Sequence, residues 1–179
     1  MTSTGDKYLD IAISMGPSSS VVVLIGDITG HQIFLTHATW TALFQKRATI
    51  KEFVQSTTPS PAILIILDLN MEIVKLHDEI LVKLTLRDNT IHMKPSTVCF
   101  MLELEHCVQN IYYYLYQSTH TVNEKYKEFV SFLGRTPYVF NKNGAAKLLR
   151  EKYDKTSLLD CELLTYALDN IVNDALGDR

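Results

Sequence analysis

Polar and apolar residues alternate, imperfectly, along KYLDIAISMG, which predicts a first strand closed by Gly16-Pro17. SSSVVVLIGDITG is β-branched and apolar and then turns at Asp27 to Gly30, and HQIFLT is a short third strand. From Ala38 the period changes. Trp40, Leu43, Phe44, Arg47, Ile50, Phe53 and Val54 recur at three- and four-residue steps, so a helix follows the strands, with Thr36 or Thr39 as its cap. Ser56 to Pro61, STTPSP, breaks that helix and reads as a linker. The order then returns. PAILIILDLN is an apolar strand, and MEIVKLHDEILVKLTL alternates on both sides of His77-Asp78-Glu79 as a hairpin or one long bent strand. RDN turns, TIHMK is short and extended, and Pro95 stands in the first turn of a second helix carrying Phe100, Met101, Leu104, Val108, Ile111, Tyr112 and Leu115.

An ungapped offset of 58 residues superimposes the two runs from Val22 to Val54, pairing Ile33 with Ile91, Leu35 with Met93, Leu43 with Met101 and Ile50 with Val108. The pattern predicts a duplicated sheet-plus-helix unit, residues 1–58 and 59–118. After Gln117 no strand pattern is left. TVNEKYKEFVSFLG reads as a short amphipathic helix ending at Gly134, RTPYVFNKNG as a loop, and AAKLLREKYD and SLLDCELLTYALDNIVNDAL as two further helices, the second capped by Thr156 or Ser157. Residues 119–179 are thus a helical extension, and the expected fold class is α+β: two antiparallel sheet-plus-helix units packed helix to helix as an intramolecular pseudo-dimer.

The short strand and helix start, IFLTHATWTALF, carry Ile33, Leu35, Trp40 and Leu43 in an Ile-x-Leu-x-x-x-x-Trp-x-x-Leu pattern. This resembles the family of the transcriptional coactivator positive cofactor four, a single-stranded-DNA-binding, Whirly-like fold. The second copy keeps Ile91, Met93 and Met101 but has Val98 at the Trp position. The resemblance covers about residues 7–117 and implies a curved four-stranded sheet followed by a helix, with dimerisation through the helices to make paired grooves for separated strands.

Charge changes that picture. Seventeen basic side chains face 20 acidic ones, and residues 1–118 hold 8 against 11, so the strongly basic footprint of many nucleic-acid binders is missing. Local clusters exist: Lys46, Arg47 and Lys51 on the first helix; Lys75, Lys83, Arg87 and Lys94 on or beside second-copy strands; and Arg135, Lys142, Lys147, Arg150, Lys152 and Lys155 in the extension. Tyr8, Phe34 and Trp40 can stack on unpaired bases, whereas the four tyrosines of IYYYLY point too many ways to form one platform. The candidate nucleic-acid contacts are therefore Lys7, Tyr8, Phe34, Trp40, Lys46, Arg47, Lys83, Arg87 and Lys94.

Other chemistry is thin. Cys99 and His106 are seven apart, and neither a CxxC nor an HxxxH pair occurs, so no zinc site and no cofactor is expected. GDITGH lacks the Lys-Ser/Thr ending of a phosphate loop, and no nucleophile elbow or dinucleotide fingerprint is present. Three cysteines suggest a reducing compartment. The start MTSTGDKYLD has no leader pattern, and the longest apolar run, Ala62 to Leu67, is too short to span a bilayer. The expected protein is a non-enzymatic, intracellular (nuclear or cytoplasmic) binder of single-stranded DNA or RNA in transcription or replication, including that of a virus or mobile element. The alternative is a duplicated scaffold that has lost DNA binding and assembles with itself or other proteins. No membrane partner is expected.

Overall fold

The computed structural model describes residues 6–55, 62–136 and 142–177. Its class is α+β, with two antiparallel sheets and helices after each. The first sheet runs β1 (Lys7–Ser14), β2 (Ser20–Asp27) and β3 (Gln32–Leu35) in that order. It is followed by α1 (His37–Gln45) and α2 (Arg47–Gln55). The second runs β4 (Ile63–Ile66), β5 (Leu69–Leu76), β6 (Glu79–Leu86) and β7 (Asn89–Met93), then α3 (Pro95–Glu103) and α4 (Glu105–Arg135). The helices α5 (Lys142–Lys152), α6 (Leu158–Tyr166) and α7 (Leu168–Leu176) complete the described chain. The predicted linker Ser56 to Pro61 and most of the loop after Thr136 lie outside the described residues.

Two compact units divide the chain differently from the sequence reading: residues 6–12 with 21–113, and residues 13–20 with 114–177. The two predicted copies do not stand as separate domains. They share one core. Val23, Ile25, Ile33, Leu35, Trp40 and Leu43 from the first copy are buried in the same cluster as Leu69, Met71, Val82, Leu84, Ile91 and Met101 from the second. The inner face of each sheet therefore closes on apolar side chains of both sheets and their helices. Helix α2 lies against α3, and strands β3 and β7 run alongside each other. Arg47 joins Glu103 at 2.9 Å and Glu105 at 3.6 Å, while Lys51 reaches Glu103 at 2.9 Å.

The helix boundaries keep the offset of 58. Fifty-eight residues separate the starts of α1 and α3, their ends, and the starts of α2 and α4. Both helical runs, expected to be continuous, break after one short helix, at Lys46 (φ −100°, ψ 16°) and Leu104 (φ −86°, ψ 5°). At Leu104 the ladder tightens to a bond on Met101 O, three residues back. The ungapped offset fails in one place. β2 buries Val21, Val23 and Ile25, and β6 buries Val82, Leu84 and Leu86, so the true offset in this strand is 59. The cause is turn length. Asp27 N–H bonds His31 O across Ile28-Thr29-Gly30, with Gly30 at φ +90°, whereas Leu86 pairs Asn89 across the two residues Arg87-Asp88. One residue fewer would turn every side chain of the strand to the other face, so the strand slides to keep its apolar set inside.

The His77-Asp78 segment is a hairpin turn, with Leu76 paired to Glu79 and φ of 48° and 65°. Thr36 is the α1 cap, accepting from Thr39 N, and the buried Thr39 hydroxyl donates to Asp68 Oδ1 at 2.7 Å. In the second unit α4 continues without interruption where a separate helix after Gln117 was expected, because no Gly or Pro stands between Gln117 and Val122. Val122, Tyr126, Phe129 and Leu133 keep one helical face toward Ala145, Leu149, Leu163 and Ile171. The last predicted helix is two, divided at Ala167 (φ −117°, ψ 1°). Ser157 caps α6 by accepting from Asp160 N, and the buried Asp160 carboxylate accepts from Ser157 Oγ and Asp154 N. Ser19 N–H donates to Asn123 Oδ1 at 2.7 Å and ties the residue 13–20 segment to this unit.

Candidate functional site

Strand alternation leaves each sheet of the first unit with an outward face. On the first sheet that face carries Tyr8, Leu24, Gln32 and Phe34, opposite the fully buried Ile33 and Leu35. Gly26 pairs Gln32, and Leu24 pairs Phe34. The hydroxyl end of the Tyr8 ring lies over Gly26, where a Cβ would stand 2.3 Å from Tyr8 Cζ, and Tyr8 OH accepts from Gln32 Nε2 at 2.8 Å. Phe34 has no such cover and is 51% exposed.

On the second sheet the outward rows are Glu72, Lys83 and His92, then Asn70, Thr85 and Thr90. Lys83 Nζ donates to Glu72 Oε2 at 3.1 Å, and the Thr85 and Thr90 hydroxyls are 3.3 Å apart. His92 stands on β7, beside β3. Burial, helped by the charges of Lys83, Lys7 and His31, holds its imidazole below the usual histidine range. Below it, the β2–β3 turn is built on Asp27. Its carboxylate accepts from Thr29 N and Oγ1, from His31 N and from Lys7 Nζ at 3.1 Å. Burial alone would raise this carboxyl, but those donors outweigh it and hold it far below the ordinary range.

The structure therefore gathers Tyr8, Phe34 and Lys83 on outward strand faces of one unit, with Gln32, Thr85, Thr90 and His92, which the sequence reading did not single out; Lys7 alternates to the other face of β1, with Leu9 and Ile11, and reaches Asp27. The signal for His92 was present: between Ile91 and Met93, both buried, it has to point outward. The other candidates are elsewhere. Trp40 is 3% exposed and meets Phe44 edge to face at 4.8 Å, so it serves the core and offers a base no ring face. Lys46 Nζ donates to Ile65 O at 3.1 Å beside β4, an edge strand whose Ile63 and Ile65 are exposed. A lysine there blunts edge pairing. Arg47 is bound to Glu103 and Glu105 between helices. Lys94, the α3 cap residue, is 3.4 Å from Glu79, and Arg87 occupies a turn at φ 54°.

Two consequences follow for chemistry. Most candidate cations already have a carboxylate, so the electrostatic attraction left for phosphate is small. Among the described residues no group of three His, Cys, Asp or Glu is arranged to hold a metal ion, and no helix is long and apolar enough to cross a membrane. No family model, curated protein or solved structure matches this chain.

Proposed function

We propose that the outward sheet face of residues 6–113 binds single-stranded nucleic acid, without catalysis, in transcription or replication. The observation that carries this reading is Phe34: a large aromatic ring, half exposed, paired with Leu24 on a face that also carries hydrogen-bonding groups. A base stacks on Phe34 for about 1–3 kcal/mol. Gln32, Thr85, Thr90 and His92 offer donors and acceptors to base edges, and Lys83 exchanges part of its carboxylate pairing for phosphate. The two copies play the parts of the two subunits in the family resembled, presenting neighbouring sheets to one strand.

The test is a polarisation titration of labelled oligothymidylate. With one cation engaged, affinity falls by only about threefold between ~50 and ~200 mM salt. Phe34→Ala weakens it by about tenfold or more with an unchanged circular dichroism spectrum. Absence of binding at low salt ends this reading. A second reading then stands, the duplicated scaffold that assembles with proteins or with itself. It is favoured by the pairing of Lys7, Arg47, Lys51, Lys83 and Lys94 with carboxylates and by the exposed Ile63 and Ile65 of β4. Its mark is a solution mass that rises with concentration.

A further inference from the structure

In the helical unit, the end of α5 and the kink between α6 and α7 border a cleft of about 660 Å³, the size of a small-molecule site. Its lining is apolar at Leu164 and Leu168 and aromatic at Tyr153, half-buried, and Tyr166, 76% exposed. Among the described residues neither tyrosine ring meets another ring or a cation, and neither hydroxyl has a hydrogen-bond partner. Two charged side chains reach the cleft, and they differ. Asp169 is held by Lys142 Nζ, whereas Arg150 makes no hydrogen bond or ion pair among the described residues. Thr165 donates its hydroxyl proton to Cys161 O at 2.8 Å, so the side-chain donors left for a ligand are the Arg150 guanidinium and the tyrosine hydroxyls. A guanidinium fork takes a carboxylate through two parallel hydrogen bonds. Nothing in the sheet-face binding proposed above uses these side chains.

We infer that this cleft binds a planar aromatic monocarboxylate, with Arg150 anchoring the carboxylate and Tyr153 and Tyr166 meeting the ring. The occupant is chosen by charge complementarity. A cation would face an unanswered guanidinium, and a neutral ring would leave that guanidinium without a partner. A dianion such as a phosphomonoester would set a second negative charge against Asp169, and an aliphatic acid would forfeit the ring contacts.

Cys161 lies in the same cleft, and the exposed Cys107 lies in the other unit, so thiol alkylation followed peptide by peptide locates the ligand with a control built into the chain. The probe is naphthoate, titrated calorimetrically into the full chain at constant ionic strength, against naphthylmethanol, its neutral analogue, and cyclohexanecarboxylate, a non-aromatic acid. Saturable heat with naphthoate, and either comparison compound about tenfold weaker or worse, is the expected result. Bound naphthoate slows alkylation of Cys161 and leaves Cys107 unchanged. Arg150→Gln weakens naphthoate by about tenfold and Tyr166→Leu by about threefold or more, with an unchanged circular dichroism spectrum because both side chains are exposed. Equal affinity for naphthoate and naphthylmethanol overturns the anion assignment, and equal affinity for cyclohexanecarboxylate overturns the aromatic one. No saturable heat overturns the site. Full naphthoate affinity in Arg150→Gln overturns the placement of the ligand in this cleft.

Discussion

Gly26 holds a place that no side chain can share. Its missing Cβ is what lets the Tyr8 ring lie on the sheet and reach Gln32. Gly26→Ala drives Tyr8 off, with a cost of about 1–3 kcal/mol for the clash and a lost hydrogen bond. Chemical denaturation measures the cost, and the Tyr8 ring proton shifts report the displacement. Asp27 and His92 make stability depend on pH in the same direction. Both have folded pKa values below their unfolded ones, so each contributes stability above its unfolded pKa and loses it as pH falls. Stability therefore declines in two windows, below about 6.5 for His92 and below about 3.9 for Asp27. His92→Gln flattens the first window only. Asp27→Asn flattens the second and lowers stability at pH 7 by about 1–3 kcal/mol, because donors aimed at a carboxylate meet an amide. Urea midpoints across pH 3–8 read both. Among the described residues Ser19 Oγ is buried without a hydrogen-bond partner, so Ser19→Ala is neutral or stabilising in the same assay.

At the scale of elements, the sequence was most informative where one face is buried. Alternation marks β1, β5 and β6, a β-branched apolar run marks β2, and helical spacing marks α1 to α4, because burying one side of a strand or helix imposes a period on the chain. Periodicity says little about breaks that leave the apolar face in place, and this is why the kinks at Lys46, Leu104 and Ala167 went unseen: none is a Gly or Pro. It was equally silent on the one-residue slip between copies. The ungapped alignment matched apolar letters of either parity in VVVLI and ILVKL, and only the turn lengths, set by Gly30 on one side and Arg87-Asp88 on the other, fix which letters face inward. Of the candidate site, the strand residues Tyr8 and Phe34 were legible as outward aromatics. Trp40 was not separable from them, since its burial depends on a core assembled from both copies. Leu67 is exposed and sits at φ 54° in the β4–β5 turn, a left-handed conformation that suits Asn better than Leu. Leu67→Asn raises the unfolding free energy by about 0.5–1 kcal/mol, read as a higher denaturant midpoint at unchanged slope.

For the whole molecule, the decisive fact is that residues 6–12 and 21–113 form one compact unit whose core draws on both sheets. A core drawn from both halves makes them unfold together. Trp40→Ala removes a large buried ring at a cost of about 3–5 kcal/mol. Hydrogen exchange then loses protection in β5 and β6 of the other half as much as in β2. Exchange confined to the first half contradicts the shared core. The near balance of charge has a functional counterpart: the proposed binding is led by stacking and hydrogen bonding, with salt playing a minor part.

Hydrogen exchange of the intact chain, with and without saturating oligothymidylate of about 20 nucleotides, locates any binding directly. Added protection in β1, β3, β6 and β7, around Tyr8, Phe34, Lys83 and His92, with α1 to α3 unchanged, is the predicted result. Protection on those helices instead, or no change anywhere at low salt, contradicts it.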